Sequence, residues 1–575
     1  MNTADRSATR VEGTESPRRV ALALGIVLCI GAALRLPYLD YGLPGTTYVD
    51  SFRFVYEAKS LSLASGSWTP DDVLYPGLLK LILAWIYGTF EVHGGLWLHL
   101  VPRLLATLCD LGTIAALFVL FRRIGGLFPA TVGAALYAVC IIPITSARVE
   151  TADCMVTFFL TAALTVLTQA RLKPIHFVLG GLLVGCAAGT KFSGGFGLLA
   201  LGIGAVLLAR QSKRTLAAGG LFCAGSLIAA ATFLATTPWI IPMHDVYWLG
   251  MKVQAEVQQG GQLGHVQAHA FDYLISPTMT PEQPWLASSL LYNLGPVVLI
   301  AGLAATGAAA IGRWGAVPLA LAAYALVYYV LGSGTGHVKL IRYLLPVLPL
   351  FLGLAGLGVA HFLSTRAKAT RWRWWLVGAL LLFPFPLARS VPHLRAAARP
   401  LTNDRVFDWV KANLPSRTRM LLTPFYLEKI KELDVEALQF RGAAQRQYRL
   451  LTTVETDTEQ APLYHPRLVA SMQQAQIEYV VLNSYFEDSL ASTPENLATF
   501  PKSVAAYRAF RRELAAEADL VYAIVGHDEG RLGPDVLVYR LRGVGGVGGV
   551  GGVGGVGGVG GVGGVEPVGR RLPAP

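Results

Sequence analysis

The sequence predicts an α-helical polytopic membrane protein with a C-terminal α/β domain. Two observations carry this reading. Of 575 residues, 53% are hydrophobic and only 15% are charged, with a mean hydropathy of +0.48, whereas a soluble domain carries about 25% charged residues. The apolar residues also fall in runs near the roughly 20 residues that a bilayer-spanning helix needs, a helix being the element that satisfies its own backbone in hydrocarbon.

Taken in order, about eleven runs qualify as spans: 20–36, 97–121, 126–142, 153–170, 175–190, 193–209, 215–236, 287–311, 316–332, 343–363 and 374–390. The first follows Arg18 and Arg19 but lacks a small-residue cleavage site, so it reads as an uncleaved signal anchor behind a tail of residues 1–19. Orientation follows from Lys and Arg in the short loops. Arg6, Arg10, Arg18 and Arg19, then Arg122-Arg123, Arg171 with Lys173, Arg210 with Lys213-Arg214, Arg313, and Arg366, Lys368, Arg371 and Arg373 all fall on one side, which is the cytoplasm. The net charge of +12 is thereby explained without nucleic acid. The N-terminus is expected inside and the chain after the last span outside.

The long segments then lie on the outer side: 37–96, 237–286 and everything from 391. Residues 20–390 form the membrane domain. Residues 391–542 become richer in charge, begin amphipathically at Val406, Trp409, Val410 and Leu414, and contain β-like runs at Ile477–Leu482 and Val536–Leu541. They predict a small α/β domain. Residues 543–575 hold the strict V-G-G repeat Val544–Val565, which lacks the prolines of a collagen helix and reads as a disordered tail.

Chemistry is expected at the outer surface. The first outer loop reads Tyr48-Val49-Asp50-Ser51-Phe52-Arg53-Phe54, continues through Glu57, Ala58 and Lys59, and reaches Asp71-Asp72 and Tyr75-Pro76-Gly77. A helix beginning near Asp50 puts a carboxylate at its N-terminus, where the helix dipole favours it. That placement serves an N-cap as well as an active site. His265 and His269 have the i,i+4 spacing of metal ligands without a third ligand nearby, so they read as plain loop. Asp71-Asp72 after Pro70 reads as turn chemistry. Six cysteines without a C-x-x-C pair indicate neither a zinc site nor a disulfide framework.

The same stretch, from Asp50-Ser51-x-Arg53-Phe54 to Tyr75-Pro76, resembles the first outer loop of polyprenyl-phosphate-sugar-dependent glycosyltransferases of the GT-C superfamily. These include dolichyl-phosphate-mannose protein mannosyltransferases and lipid A aminoarabinose transferases. Further pieces agree in order: Val101-Pro102-Arg103-Leu104-Leu105, Ala147-Arg148-Val149-Glu150-Thr151-Ala152-Asp153, Gly185 through Lys191-Phe192, and Arg342-Tyr343-Leu344-Leu345-Pro346. The chain departs from the pattern in two places. Ser51 stands where the family commonly has a second acidic residue, and Tyr75-Pro76-Gly77 stands where it often has a His-Pro-Pro-like element.

The resemblance implies a GT-C membrane bundle that moves a sugar from a polyprenyl phosphate to a protein, lipid or glycan acceptor on the outer face, with inversion at the anomeric carbon. Asp50 is then the expected base, with Asp153 as a second catalytic carboxylate. Arg53, Arg103, Lys191, Lys339 and Arg342 are the expected cations for the lipid phosphate. No metal is indicated, although a divalent ion is compatible with the chemistry. The Ala/Gly/Arg-rich composition and the resemblance point to a bacterial inner membrane. The competing expectation is a transporter or flippase of lipid-linked sugars. Such proteins often show paired repeats and midplane charges, whereas this chain has no matched halves and gathers its ionisable groups at the outer boundary.

Overall fold

A computed structural model of the chain describes residues 15–43, 51–62, 70, 75–92, 94–261, 269–275, 289–366, 371–422, 433, 435–439, 468–484, 494–526 and 530–544. Asp50, Asp71, Asp72, His265 and nearly all of the V-G-G repeat lie outside them. The described residues are mostly helical. They form α1 (Pro17–Arg35), α2 (Ser51–Ser62), α3 (Leu78–Thr89), α4 (Leu96–Gly125), α5 (Leu127–Val139), α6 (Ile141–Ser146), α7 (Asp153–Leu167) and α8 (Pro174–Thr190). There follow α9 (Gly197–Ser212), α10 (Thr215–Thr236), α11 (His244–Gly260), α12 (Leu290–Ala310), α13 (Ala316–Val327), α14 (Leu348–Ser364), α15 (Arg371–Leu382) and α16 (Pro384–Ala397).

The chain is a multi-pass membrane protein. Among the described residues six helical stretches are long and apolar enough to cross a bilayer, or seven when the pair bent by 42° at Phe383 counts as one. The expected eleven spans are therefore not reproduced by length and composition. The runs expected at 126–142, 153–170 and 343–363 become shorter helices of 13, 15 and 17 residues, and the run at 175–190 is a helix of 17. Local backbone explains this. Cys140 is extended and ends α5 early, and a 3₁₀ turn at Ile341–Leu344 delays α14. The run at 374–390 breaks before Pro384, which cannot continue the helix behind it. Within α12, Gly295 adopts φ 77° just before Pro296 and receives the Phe385 ring where any side chain would clash.

Two close helix contacts shape the bundle around the site. Gly181, Gly185 and Gly189 of α8 face α10. A Cβ at Gly181 would lie 2.4 Å from the Gly225 carbonyl oxygen, and one at Gly185 would lie 2.6 Å from that of Ala229. Without side chains at these positions the two backbones approach closely, and α8 delivers the residue that follows it, Lys191, at a fixed place. At the same end of α10, the Gly77 N–H donates to Thr237 Oγ1 at 3.1 Å, docking the Tyr75-Pro76-Gly77 turn. Phe54, Val55, Ala58 and Leu61 of α2 bury themselves against α3, Trp239 and Tyr247.

Among the described residues after Thr402, five strands form one sheet in the order β2-β1-β3-β5-β4, from β1 (Arg419–Leu422), β2 (Glu436–Gln439), β3 (Tyr479–Asn483), β4 (Ala518–Ile524) and β5 (Val536–Leu541). β1 pairs in parallel with β2 and β3, while β5 is antiparallel to both β3 and β4. Side chains alternate faces along a strand. Met420, Leu422 and Val481 meet Val406 and Val410 of α17 (Thr402–Asn413), whereas Leu421, Val480 and Leu482 meet Met472 of α18 (Leu468–Gln474) and Phe510 of Pro501–Glu517. Tyr41 of the first loop packs on Ala397 and Leu401, where the bundle passes into this layer.

Candidate active site

Three cluster residues from distant parts of the sequence meet where α7 begins and α8 ends. Asp153 opens α7, Lys191 follows α8, and Arg342 sits in the 3₁₀ turn Ile341–Leu344. Lys191 Nζ donates to Asp153 Oδ1 at 2.7 Å, and Arg342 Nε lies 3.8 Å from Asp153 Oδ2. The Tyr343 ring stands under both cations, 5.0 Å from Lys191 Nζ and 5.9 Å from the Arg342 guanidinium carbon. Burial disfavours the charge on Lys191, but the Asp153 carboxylate outweighs it and holds the lysine well above its ordinary pKa. Lys191 therefore stays charged at any working pH.

These residues line a cavity of about 290 Å³. Tyr75 and Phe192 give it apolar surface, and Tyr328 and Ser333 line the side formed by the π-helical turn Tyr328–Gly334 that continues α13. Gln254 and Gln258 of α11 add two amides. The arrangement is a mixed apolar and polar pocket with two cations held by one carboxylate. It suits a monoanion joined to a neutral group with hydrogen-bonding capacity.

The sequence-predicted residues divide. Asp153, Lys191 and Arg342 are brought together. Arg103 is fully buried elsewhere, in a second cluster: its Nε is 3.0 Å from Glu150 Oε1 and its Nη1 donates to the Leu39 and Tyr41 carbonyls at 2.8 and 2.9 Å. Ser51 Oγ donates to Glu150 Oε2 at 2.9 Å, and His99 Nδ1 lies 3.4 Å from the same carboxylate. Burial alone would raise the Glu150 pKa, yet Arg103 and His99 hold it at about 2. Arg148 grips the first loop from the other side by donating to the Tyr38 carbonyl at 2.9 Å. Ser51 thus binds a carboxylate supplied from the second outer motif.

Lys339 is also fully buried, behind the cavity wall. Its Nζ donates to the Ser333 and Gly334 carbonyls at 2.9 and 3.0 Å and stands 4.9 Å from the Tyr273 ring. Burial pushes it down to about 8, with Asp272 opposing. It closes the end of the π-helical turn and is not among the residues that line the cavity. Arg53 is half-buried on α2, likewise off the cavity lining. Asp50 immediately precedes Ser51 in sequence and lies outside the described residues. Among the described residues no group of three or more His, Cys, Asp or Glu is placed to hold a metal.

Glu150 and the two glutamines were not among the sequence-derived site residues. Glu150 stood inside a quoted motif. The i,i+4 spacing of Gln254 and Gln258, which puts both on one helix face, was the available signal for the second.

No protein-family model and no curated protein sequence matches this chain. Solved structures do. The Archaeoglobus fulgidus oligosaccharyltransferase tethered with an acceptor peptide containing the NVT sequon aligns with a TM-score of 0.51 at 12% identity, over 86% of this chain and 72% of that one. The same organism's AglB in complex with an inhibitory peptide and a dolichol-phosphate gives 0.51 at 13% identity, over 83% and 72%. ArnT from Cupriavidus metallidurans bound to undecaprenyl phosphate gives 0.51 at 13% identity, over 91% of this chain and 98% of that one. The chain has the GT-C fold that its sequence motifs suggested.

Proposed function

We propose that this chain is an integral membrane glycosyltransferase that moves a sugar from a polyprenyl-phosphate-linked donor to an acceptor at the outer face of a bacterial inner membrane. The observation that carries the reading is the Asp153–Lys191–Arg342 cluster lining a cavity. The fold agrees, and so do the lipid phosphates bound by two proteins that share it, dolichol-phosphate in one and undecaprenyl phosphate in the other. The lipid phosphate is already a good leaving group. Catalysis needs cations to hold it as its bond to the sugar breaks, and a base to take the acceptor's proton.

Lys191 and Arg342 take the first task. Asp153, engaged by Lys191 and close to Arg342, fixes both cations in position. The base is Asp50, next to the Ser51 that Glu150 anchors. In one displacement the acceptor oxygen attacks the anomeric carbon, the C–O bond to the phosphate breaks with its electron pair, and Asp50 receives the proton. The topology expected from the basic loops places the cluster and the 402–541 layer outside.

The test uses the purified full chain in lipid nanodiscs with a panel of polyprenyl-phosphate sugars. Lys191→Met and Arg342→Met should each weaken binding of bare polyprenyl phosphate at least tenfold. Asp50→Asn should keep that binding and lose at least a hundredfold in transfer. Unchanged lipid-phosphate affinity in both cation variants, or full transfer by the Asp50 variant, overturns the assignment.

A further inference from the structure

We propose that Lys339 acts on the lipid phosphate without touching it, by masking the negative end of the helix that walls the cavity. The inference rests on the lipid-phosphate reading of that cavity and assigns a positioning residue to it. Helix direction comes first. α13 and the π-helical turn run on as one apolar stretch, Ala316–Gly334, and the residues at and just past its far end, Gly332, Ser333, Thr335 and Gly336, line the cavity. A helix leaves its last carbonyls without intrahelical partners, and its aligned peptide dipoles place about half a negative charge there. That is the unfavourable end to offer an anion. α8 also ends at the cavity, and there Lys191 follows it directly. The N-terminus of α7, the favourable end, already carries Asp153.

The second observation is how those carbonyls are covered. Lys339 Nζ donates to the Ser333 and Gly334 carbonyls at 2.9 and 3.0 Å, and Thr335 Oγ1 donates to the Leu331 carbonyl at 3.2 Å. Ser333 Oγ in turn donates to the Tyr343 carbonyl at 3.0 Å. The covered helix end thereby also holds the residue whose ring stands under Lys191 and Arg342. A neutral donor would satisfy the same carbonyls. Lys339 is instead a completely buried ammonium against the Tyr273 ring. Among the described residues only the Asp272 carboxylate opposes its loss of charge, and no salt bridge joins the two. Burying a charge without an ion-pair partner is costly, and two hydrogen bonds to neutral carbonyls do not offset it. An anion in the cavity, on the other side of the π-helical turn, does. It meets a helix end whose negative charge is cancelled.

The experiment measures lipid binding to the full chain in nanodiscs at low ionic strength, with bare polyprenyl phosphate and its uncharged dimethyl ester as probes. Lys339→Met removes the charge and keeps an unbranched side chain. It should weaken polyprenyl phosphate about tenfold and leave the dimethyl ester within about twofold. Lys339→Arg keeps the charge and should bind polyprenyl phosphate within about threefold of the unaltered chain. A pH titration of the unaltered chain needs no variant. Burial holds Lys339 down at about 8 against the opposing pull of Asp272, so its charge is present below that pH and lost above it. The groups that face it are Asp272 and Tyr273 and, behind Tyr273, Tyr329 and Tyr343, none of them basic. Polyprenyl methyl phosphate, a diester with one fixed charge, should therefore bind more weakly as pH rises from about 7 to about 9.5, and the same titration of Lys339→Arg should be flat. Equal weakening of the phosphate and the dimethyl ester by Lys339→Met makes the lysine a structural cap only and overturns the inference. So does full phosphate affinity in that variant, a folded Lys339→Arg chain that binds no better than Lys339→Met, or a flat titration of the unaltered chain. Failure of polyprenyl phosphate to bind the unaltered chain overturns the lipid-phosphate reading beneath it.

Discussion

Replacing Asp153 by Asn should tighten the hold on the lipid phosphate and slow turnover. Asp153 stands 2.7 Å from Lys191 and 3.8 Å from Arg342. A phosphate received by Lys191 on its other side lies about 5–6 Å from that carboxylate, and at an effective dielectric of about 20 the like-charge repulsion there costs about 3 kcal/mol. Removing it gives at most about a hundredfold in affinity. Solvent in the cavity screens part of that, so roughly tenfold is the lower expectation. Turnover moves the other way. The carboxylate fixes where both cations point, and loss of that positioning costs about a hundredfold or more. Product phosphate also leaves more slowly. The assay compares the inhibition constant of bare polyprenyl phosphate with kcat for sugar transfer, after thermal melting has shown that the variant is folded. A folded Asp153→Asn enzyme that binds the product more weakly, or that turns over like the unaltered chain, refutes the positioning role.

Further expectations attach to residues outside the cavity. In Glu150→Gln, buried Arg103 loses its counter-charge, which costs about 3–5 kcal/mol, read as a lowered melting temperature at neutral pH. Because the folded pKa of Glu150 is depressed from 4.5 to about 2, the contribution is fully present above about pH 4.5 and disappears as pH falls toward 2, so the two melting curves should converge on acidification. Gly185→Leu puts a side chain where a Cβ would already lie 2.6 Å from the Ala229 carbonyl oxygen; it should displace Lys191 and weaken lipid-phosphate binding at least tenfold. Gly202→Ala, at a position where a Cβ meets nothing within 4 Å, should leave that binding unchanged. Cysteines introduced beyond residue 400 should be labelled from outside in intact cells, and those at Arg366 should not.

Motifs were legible in the sequence, and contacts were not. The Gly185-to-Lys191 element, the Ala147–Asp153 stretch and Arg342–Pro346 were each visible, and the structure brings one residue from each into the cluster. The sequence could not sort the cations. Arg103, Lys339 and Arg342 all stand beside apolar runs, where a basic side chain caps carbonyls, pairs with an acid or faces a ligand with the same local signature. The sorting is done by partners far away in the chain, such as Leu39 and Glu150 for Arg103, 64 and 47 positions off. The count of long helices differs from the count of apolar runs for a related reason. Hydropathy registers the apolar run at 343–363, whereas helix length depends on the 3₁₀ turn that Arg342 occupies. The intramembrane set in which Arg35 and Tyr137 both reach Asp110 was equally invisible, since its members belong to three separate runs.

The two polar clusters explain why the departure at Ser51 need not cost activity. In the resembled family the second position of the first loop is commonly acidic. Here the acid is supplied from the other motif: Glu150 reaches across to Ser51 Oγ at 2.9 Å and is itself held by Arg103. The start of α2 is therefore tied to α4 and to the approach to α7. Three residues after Glu150 comes Asp153, so one short segment both holds Ser51 at the start of α2 and pairs with Lys191 and Arg342. A charge at position 51 would then be harmful, because two carboxylates would compete for Arg103 in a dry site. Ser51→Asp should accordingly loosen the loop and lower transfer, even though it restores the commoner family residue. Paired with Glu150→Gln, the same substitution should recover part of the loss, a coupling that a double-mutant cycle measures directly.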